Sequence, residues 1–132
     1  MVLVDTSILI DFLRGAENAA VGRFQQILDS NIPFGISPLT YLEVLQGTRT
    51  DKDYATVKSY LETQRFFGLL DQKESSAAAA RIYFACRRKG ITINSTVDCL
   101  IAQTAIENDL TLLHNDADFD RMRKVAPLRI YG

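Results

Sequence analysis

Four acidic residues stand at or near junctions between expected strands and helices, where carboxylates can serve chemistry: Asp5, Glu43, Asp98 and Asp116. Asp5 directly follows the short apolar run "VLV", and Asp116 follows the apolar run "LTLLHN". Asp98 is expected in the first turn of one helix, and Glu43 in the second turn of another. Because carboxylate oxygens are preferred ligands of Mg²⁺ and Mn²⁺, such a set predicts a divalent-cation site if its members converge.

The two helical members of this set lack local basic partners. Neither Glu43 nor Asp98 has a Lys or Arg three or four residues away, where a neutralising side chain would lie on a helix. Carboxylates that meet without basic partners repel one another, and each makes ionisation of the next more costly. A hard cation between them removes that repulsion, so the hypothesis depends on convergence of the four side chains.

Each aspartate in the set also has a purely structural interpretation. Asp98 comes three residues after Ser95, which matches the spacing of a capping box. Asp5 and Asp116 suit the N-cap positions of the helices expected after them. Glu43 lies too deep in its helix to cap it. The sequence alone therefore leaves capping and ligand roles open for the three aspartates.

The elements that must position these residues follow an alternating pattern. Short apolar strands are expected at "VLV", "PFGI", "FFGLL", "LTLLH" and "LRIYG". Helical patterns separate them, at 8–13, 19–28, 53–64, 74–89 and in "INSTVDCLIAQTAIEND". The best-marked helix is "SPLTYLEVLQG", with Ser37 at the N-cap, Pro38 at the first helical position and Gly47 at the end. This alternation predicts an α/β fold with a parallel sheet between helices.

Length and composition fit one globular unit. The 132 residues suit a single domain, 1–132, and a hydrophobic fraction of 47% is enough for a core. No apolar run approaches the roughly 20 residues of a membrane span, and the N-terminus lacks the basic leader of a secretory signal. Cys86 and Cys99 are expected as buried, reduced thiols, which fits a cytoplasmic location.

The charged and histidine residues limit the possible chemistry. A formal net charge of -1 is not by itself a nucleic-acid signature. Two basic clusters, 87–89 and 121–124, are either solvated helix faces or phosphate contacts. His114 is the only histidine, so a metal-free ribonuclease mechanism with two histidines is excluded. We expect His114 to have a structural or substrate-side role.

Four segments, in order, resemble the PIN-domain ribonucleases: "VDTSILID", "SPLTYLEVLQG", "STVDCLIAQTA" and "HNDADFDRM". Among these, the chain is most similar to the VapC-type toxins of prokaryotic toxin–antitoxin modules, over nearly its whole length. The resemblance implies a three-layer α/β/α PIN-like domain with a small, mainly parallel central sheet. It implies catalytic, metal-binding roles for Asp5, Glu43, Asp98 and Asp116. Ser7 and Asp118 are implied as auxiliary residues, and Asp118 competes with Asp116 for the fourth ligand position.

The same resemblance implies a function. We expect the protein to be a Mg²⁺-dependent endoribonuclease that hydrolyses transfer or ribosomal RNA through a metal-activated water. Mn²⁺ is expected to substitute for Mg²⁺. Expected partners are a VapB-like antitoxin and a second copy of the chain, as a homodimer or within a toxin–antitoxin hetero-oligomer. The antitoxin would dock on the helices of 8–28 and 54–61, where Phe12, Leu13 and Phe24 are either contact or core residues.

Two other functions compete with this one. A catalytically inactive PIN-like module for RNA binding or protein interaction would share the fold. A phosphoacceptor receiver domain is also a small α/β protein with acidic residues at strand ends, but it carries an acidic pair after its first strand. Here Asp5 stands alone and Glu43 lies inside a helix, which disfavours the receiver interpretation.

Overall fold

The computed structural model describes all 132 residues, and it contains five short strands and seven helices. The strands are β1 (Val2–Val4), β2 (Phe34–Ile36), β3 (Arg65–Phe66), β4 (Thr111–Leu113) and β5 (Arg129–Ile130). The helices are α1 (Thr6–Leu13), α2 (Ala19–Asp29), α3 (Pro38–Gln46), α4 (Asp51–Leu61), α5 (Gln72–Arg88), α6 (Thr96–Glu107) and α7 (Ala117–Met122). None of these helices combines the length and apolar character that a membrane span requires.

The strands form one fully parallel sheet in the order β3-β2-β1-β4-β5. β1 lies at its centre and pairs with β2 on one side and β4 on the other. Receiver domains have the strand order 2-1-3-4-5, in which the first strand pairs with the second and third. The observed order therefore excludes the receiver alternative and agrees with the predicted α/β class.

Helices cover both faces of the sheet, as a parallel sheet requires. Side chains alternate along β1: Val2 and Val4 pack with α1 to α4, whereas Leu3 packs with α5 to α7. This period of two divides the core into two clusters and gives the expected three-layer arrangement. Cys86 and Cys99 are buried in the cluster beneath α5 to α7, and neither forms a disulfide.

Polar side chains fix where the helices begin. Ser37 caps α3 as predicted, because its hydroxyl accepts a hydrogen bond from the backbone N–H of Leu39 at 3.0 Å. Thr50 and Asp71 cap α4 and α5 in the same way. Those two caps start their helices at Asp51 and Gln72, two residues before the expected positions, because each cap satisfies a free N–H of the first turn.

The strand expected at "FFGLL" is shorter and earlier than predicted. β3 covers only Arg65–Phe66 at the edge of the sheet, and the N–H of Phe67 donates to the carbonyl of Ile36 at 2.9 Å. Beyond that bond the chain leaves the sheet, and the Leu70 N–H donates instead to Glu107 Oε1 at 2.7 Å. An apolar run at a sheet edge has one neighbour at most, so its side chains do not fix the strand length.

Gly35 in β2 leaves no room for a side chain. A Cβ built there would lie 2.5 Å from the ring of Phe67 and 2.8 Å from the backbone carbonyl oxygen of Arg65. We expect Gly35→Ala to lower the free energy of unfolding by about 1–3 kcal/mol, because a backbone atom must move. Urea denaturation at neutral pH measures this change.

Gly22, in the middle of α2, provides the matched control. A Cβ there meets nothing within 4 Å. Gly22→Ala should therefore raise the free energy of unfolding by about 0.5–1 kcal/mol, because alanine restricts the unfolded chain and favours the helix. Effects of the same sign in the two variants would contradict this account of the β2–β3 contact.

Candidate metal centre

The candidate site lies where the order of the strands reverses. In parallel α/β sheets, ligands bind beyond the carboxyl ends of the strands at this switch point. Here the switch separates β1 from β4, because β2 lies on one side of β1 and β4 on the other. Asp5 follows β1 directly, and Asp116 follows the end of β4 by three residues. Both residues therefore stand at the same crevice.

Asp5 is held in place by its own helix start. It is 3% exposed, and its Oδ2 accepts hydrogen bonds from the Ser7 backbone N–H at 3.0 Å and the Ser7 hydroxyl at 2.6 Å. The same hydroxyl accepts a bond from the Asn115 N–H at 3.0 Å. Ser7 thus orients Asp5 and ties the ends of β1 and β4 together. Burial raises the pKa of Asp5, although the bonds from Ser7 act in the opposite direction.

Glu43 reaches this crevice from α3 through a residue that the sequence analysis missed. Thr6 Oγ lies 2.8 Å from Glu43 Oε1 and 3.2 Å from Thr40 Oγ. A hydroxyl has one proton, so Thr6 donates to the carboxylate and accepts from Thr40. Because Thr6 is the neighbour of Asp5, this bond brings α3 to the end of β1. The only signal in the sequence was a hydroxyl side chain directly after Asp5.

Asp98 has a carboxylate that the protein leaves free. The Ser95 hydroxyl caps α6 by accepting from the Asp98 N–H at 3.4 Å, but the reciprocal bond from Asp98 to the Ser95 N–H is absent. The capping box is therefore only half formed. The Asp98 carboxylate makes no hydrogen bond and no ion pair within the protein, so the capping interpretation does not account for its charge.

Asp98, Asp116 and Asp118 form the tightest acidic group. One carboxylate oxygen of each lies within 4.8 Å of the others. Asp5 and Glu43 lie outside this group, but their charges still reach Asp98. The five carboxylates therefore share one edge of the sheet, with Asp5 and Glu43 on the α1 and α3 side.

Asp116 and Asp118 differ in how many of their carboxylate oxygens remain free of contacts within the protein. Asp116 Oδ1 caps α7 by accepting from the Asp118 N–H at 2.9 Å, and its Oδ2 makes no bond within the protein. Asp118 is 1% exposed, and both its oxygens are engaged. Its Oδ2 accepts from the Asn94 N–H at 2.9 Å, and its Oδ1 pairs with the Arg121 guanidinium. Asp116 therefore offers the freer ligand, and Asp118 anchors the 90–95 connection to α7.

No basic side chain neutralises the predicted set. The four ion pairs of the protein involve other acidic residues. Burial raises the pKa of Asp98 and four neighbouring charges add to this effect, so that the pKa moves from its ordinary value of 3.8 to about 7; the neighbours are Asp5, Asp116, Asp118 and Glu43. A divalent cation fits this donor set, because it replaces the missing positive charge and takes oxygen ligands.

His114 has a structural role, one of the two that we expected. Its side chain is 6% exposed, and Nδ1 accepts from the Asp116 N–H at 3.0 Å. Nε2 lies 3.3 Å from Asp120 Oδ1, and the ring packs against Phe119. Since Nδ1 acts as an acceptor, the proton is on Nε2 and points to Asp120. His114 thus fixes the turn that carries Asp116.

Comparisons with known proteins agree with this arrangement. The profile of the family described as PIN domain matches residues 2–125. Ribonuclease VapC11 of Mycobacterium tuberculosis and VapC ribonuclease Mb1587 of Mycobacterium bovis are each 30% identical over 98% of this chain and 96% of theirs.

Solved structures share the fold at lower identity. DNA-bound VapBC of Salmonella typhimurium gives a TM-score of 0.74 at 18% identity, over 98% of this chain and 96% of that one. FitAcB of Neisseria gonorrhoeae gives 0.71 at 22% identity, over 100% and 97%. The expected three-layer architecture is therefore confirmed.

The raised pKa of Asp98 predicts a pH-dependent stability of the metal-free protein. An acid whose pKa is higher in the folded state binds more protons there, so stability falls as pH rises from about 4 to about 7. Asp98→Asn should therefore raise the Tm at pH 8 and change it little at pH 4. Thermal denaturation in EDTA checks this, with the exposed Glu17→Gln as control. An equal gain at both pH values would contradict it.

Because Asp116 and Asp118 have different contacts, we expect substitution of Asp116 to weaken Mg²⁺ binding and substitution of Asp118 to lower stability. Asp116→Asn keeps a good N-cap, so it should leave stability nearly unchanged while it weakens Mg²⁺ binding. Asp118→Asn breaks the contact with Arg121, so it should lower the free energy of unfolding by about 1–3 kcal/mol. Urea denaturation and calorimetric Mg²⁺ titration separate the two effects. A larger loss of stability in Asp116→Asn would reverse the assignment.

Proposed function

Because the chain belongs to the PIN domain family and its relatives include VapC ribonucleases, we propose that it is the toxin ribonuclease of a VapBC-type toxin–antitoxin system, with Asp5, Glu43, Asp98 and Asp116 as its catalytic, metal-binding residues. Its substrate is RNA, of the transfer or ribosomal class, and its cofactor is Mg²⁺, with Mn²⁺ as a substitute. The observation that carries the proposal is an acidic edge at which none of these four carboxylates has a basic partner. We treat 1–132 as one functional domain.

Hydrogen bonds within the protein hold three of the four carboxylates in place without a bound cation. Ser7 fixes Asp5, Thr6 fixes Glu43, and the N-cap of α7 fixes Asp116. Only Asp98 lacks a protein contact for its carboxylate, so its charge is the one that depends most on a bound cation. Rigid ligands of this kind lose little conformational entropy on binding.

Mg²⁺ bound there supplies Lewis-acid chemistry: it lowers the pKa of water and offsets the negative charge on a phosphodiester. Without positive charge at this edge, the carboxylates would repel the RNA backbone. His114 is unsuited to act as a general base, because its Nδ1 already accepts the Asp116 N–H.

We propose an antitoxin as the regulatory partner. Solved neighbours in this fold are described as VapBC complexes from Rickettsia felis and Haemophilus influenzae. A groove of about 580 Å³ between α1, α3 and α4 is a suitable docking surface, with Ile10, Leu13 and Val57 in its lining. Leu13 is 48% exposed there. Phe24 belongs to the core instead, since it is fully buried against Phe12 and Phe34.

A homodimer remains a prediction from the family resemblance, and a cytoplasmic location remains a prediction from the two reduced cysteines. Exposed apolar side chains are available for a contact between copies, with Leu42 at 55%, Phe66 at 37% and Leu70 at 71% exposure. Sedimentation of the purified chain would measure its oligomeric state.

The catalytic assignment predicts a specific pattern of RNA cleavage. We expect wild-type protein to cut transfer or ribosomal RNA with Mg²⁺ and not with EDTA, leaving a 5′-phosphate and a 3′-hydroxyl. Asp5→Asn and Asp98→Asn should each lower the rate at least about 100-fold, because even outer-shell residues of metal sites cost 10- to 100-fold. Mapping of 5′ ends after controlled expression identifies the target.

Asp11→Asn is the matched control, since Asp11 is a carboxylate of α1 whose contacts are to Asn18 and Asn115 rather than to the acidic edge. It should retain near wild-type cleavage. Undiminished cleavage in Asp98→Asn would overturn the assignment of the site. A folded wild-type protein with no Mg²⁺-dependent cleavage of any RNA would favour the inactive PIN-like module.

A further inference from the structure

A second cleft, of opposite charge, lies beside the acidic edge. It has a volume of about 370 Å³ and is formed by the connection after α5 together with α7. We call it the basic cleft, and its lining is Gly90, Ile91, Thr92, Asn94, Arg121 and Lys124. No carboxylate lines it, although acidic residues outnumber basic ones, 16 to 15, in the whole chain.

The donors of the basic cleft are largely unused by the protein. The Lys124 ammonium makes no ion pair or hydrogen bond, and only one guanidinium nitrogen of Arg121 is engaged. The backbone N–H of Thr92 and its hydroxyl also lack partners within the chain. Lys89 adds positive charge nearby, since its ammonium donates to the Lys124 carbonyl at 3.3 Å. Such a set suits an anion with several oxygens.

Asp118 joins this cleft rigidly to the acidic edge. One of its oxygens binds Arg121, and the other binds the Asn94 N–H, so both walls of the cleft attach to one carboxylate. A carboxylate oxygen of Asp118 also lies within 4.8 Å of a carboxylate oxygen of Asp98 and of one of Asp116. A single hydrogen bond thus connects the acidic group to the Arg121 guanidinium. Ligands bound at the two places would be close neighbours.

We propose that the basic cleft binds a backbone phosphate of the RNA strand adjacent to the phosphate that is cleaved. This inference rests on the proposed ribonuclease function. Arg121 and Lys124 contact the phosphate, Thr92 supplies further donors, and Asp118 sets the distance between the two phosphates. The cleft thereby offsets the repulsion between the acidic edge and the RNA backbone, without reading the bases.

Binding of intact RNA tests the proposal separately from cleavage. All proteins carry Asp98→Asn, so that the probe, a fluorescein-labelled single-stranded RNA of mixed sequence, is not cut. Kd is measured by anisotropy from about 50 to about 200 mM KCl. Removing one phosphate contact lowers the slope of log K against log salt by about 0.7, so Lys124→Gln should reduce the salt effect over this range by about 2.6-fold.

Lys52→Gln on α4 is the matched control, because it removes the same charge from an exposed lysine outside the cleft. It should leave the slope unchanged. Single methylphosphonate linkages, which carry no charge, add a second readout. At one linkage the substitution should weaken binding to the control protein and not weaken binding to Lys124→Gln any further, because the two changes remove the same contact.

Equal slopes for Lys124→Gln and Lys52→Gln would overturn the inference, as would additive effects at every methylphosphonate position. If wild-type protein cleaves RNA with Mg²⁺ but these slopes are equal, the proposed function stands and the cleft has no part in it. If the slopes differ as expected and no RNA is cleaved by wild-type protein, the cleft binds phosphate and the proposed catalytic function fails.

Discussion

Like charges gathered at one edge of the sheet are the constraint on which the rest of this structure depends. Five carboxylates share that edge, and no lysine or arginine neutralises the predicted four. Their repulsion opposes folding, and it adds to burial in raising the pKa of Asp98. The framework holds four of these carboxylates, those of Asp5, Glu43, Asp116 and Asp118, by hydrogen bonds, and it leaves only that of Asp98 without a contact.

Those ties are short polar contacts between segments distant in sequence. Ser7 connects Asp5 to the end of β4 through Asn115, Thr6 connects β1 to Glu43 on α3, and Asp118 connects α7 to the 90–95 connection. Two of the acidic residues, Asp5 and Asp116, cap helices as well. Capping and ligand roles are therefore compatible, because a cap uses one carboxylate oxygen and leaves the other available.

A net charge near zero conceals a strong local separation of charge. The acidic edge and the basic cleft lie on either side of Asp118, which contacts both. A polyanion that approaches this surface meets repulsion from one side and attraction from the other. A cation at the acidic edge removes the repulsion, so metal binding and RNA binding should support each other. This coupling follows from electrostatics and needs no change of shape.

The sequence by itself determined the features that depend on local physics. The caps at Ser37 and Ser95, the alternation of strands and helices, and the positions of Asp5 and Asp116 after their strands follow from contacts between near neighbours. The family resemblance extended this to the three-layer architecture. The edge strand β3 was placed imprecisely, because one hydrogen-bonded neighbour leaves its length undetermined by pattern.

Only the tertiary structure decided which oxygens are free. Thr6 and Glu43 are 37 residues apart, and Asn94 and Asp118 are 24 apart, so no local pattern reports these bonds. Asn94 and Arg121 together engage both oxygens of Asp118, whereas Asp116 keeps one oxygen free, although the two aspartates are almost adjacent in sequence. The Asp98 carboxylate also lacks the contact with the Ser95 N–H that its spacing suggested. A carboxylate oxygen bonds to whichever donor lies near it in space. The donors of these bonds are distant in sequence, so they reach the carboxylates only when the protein has folded.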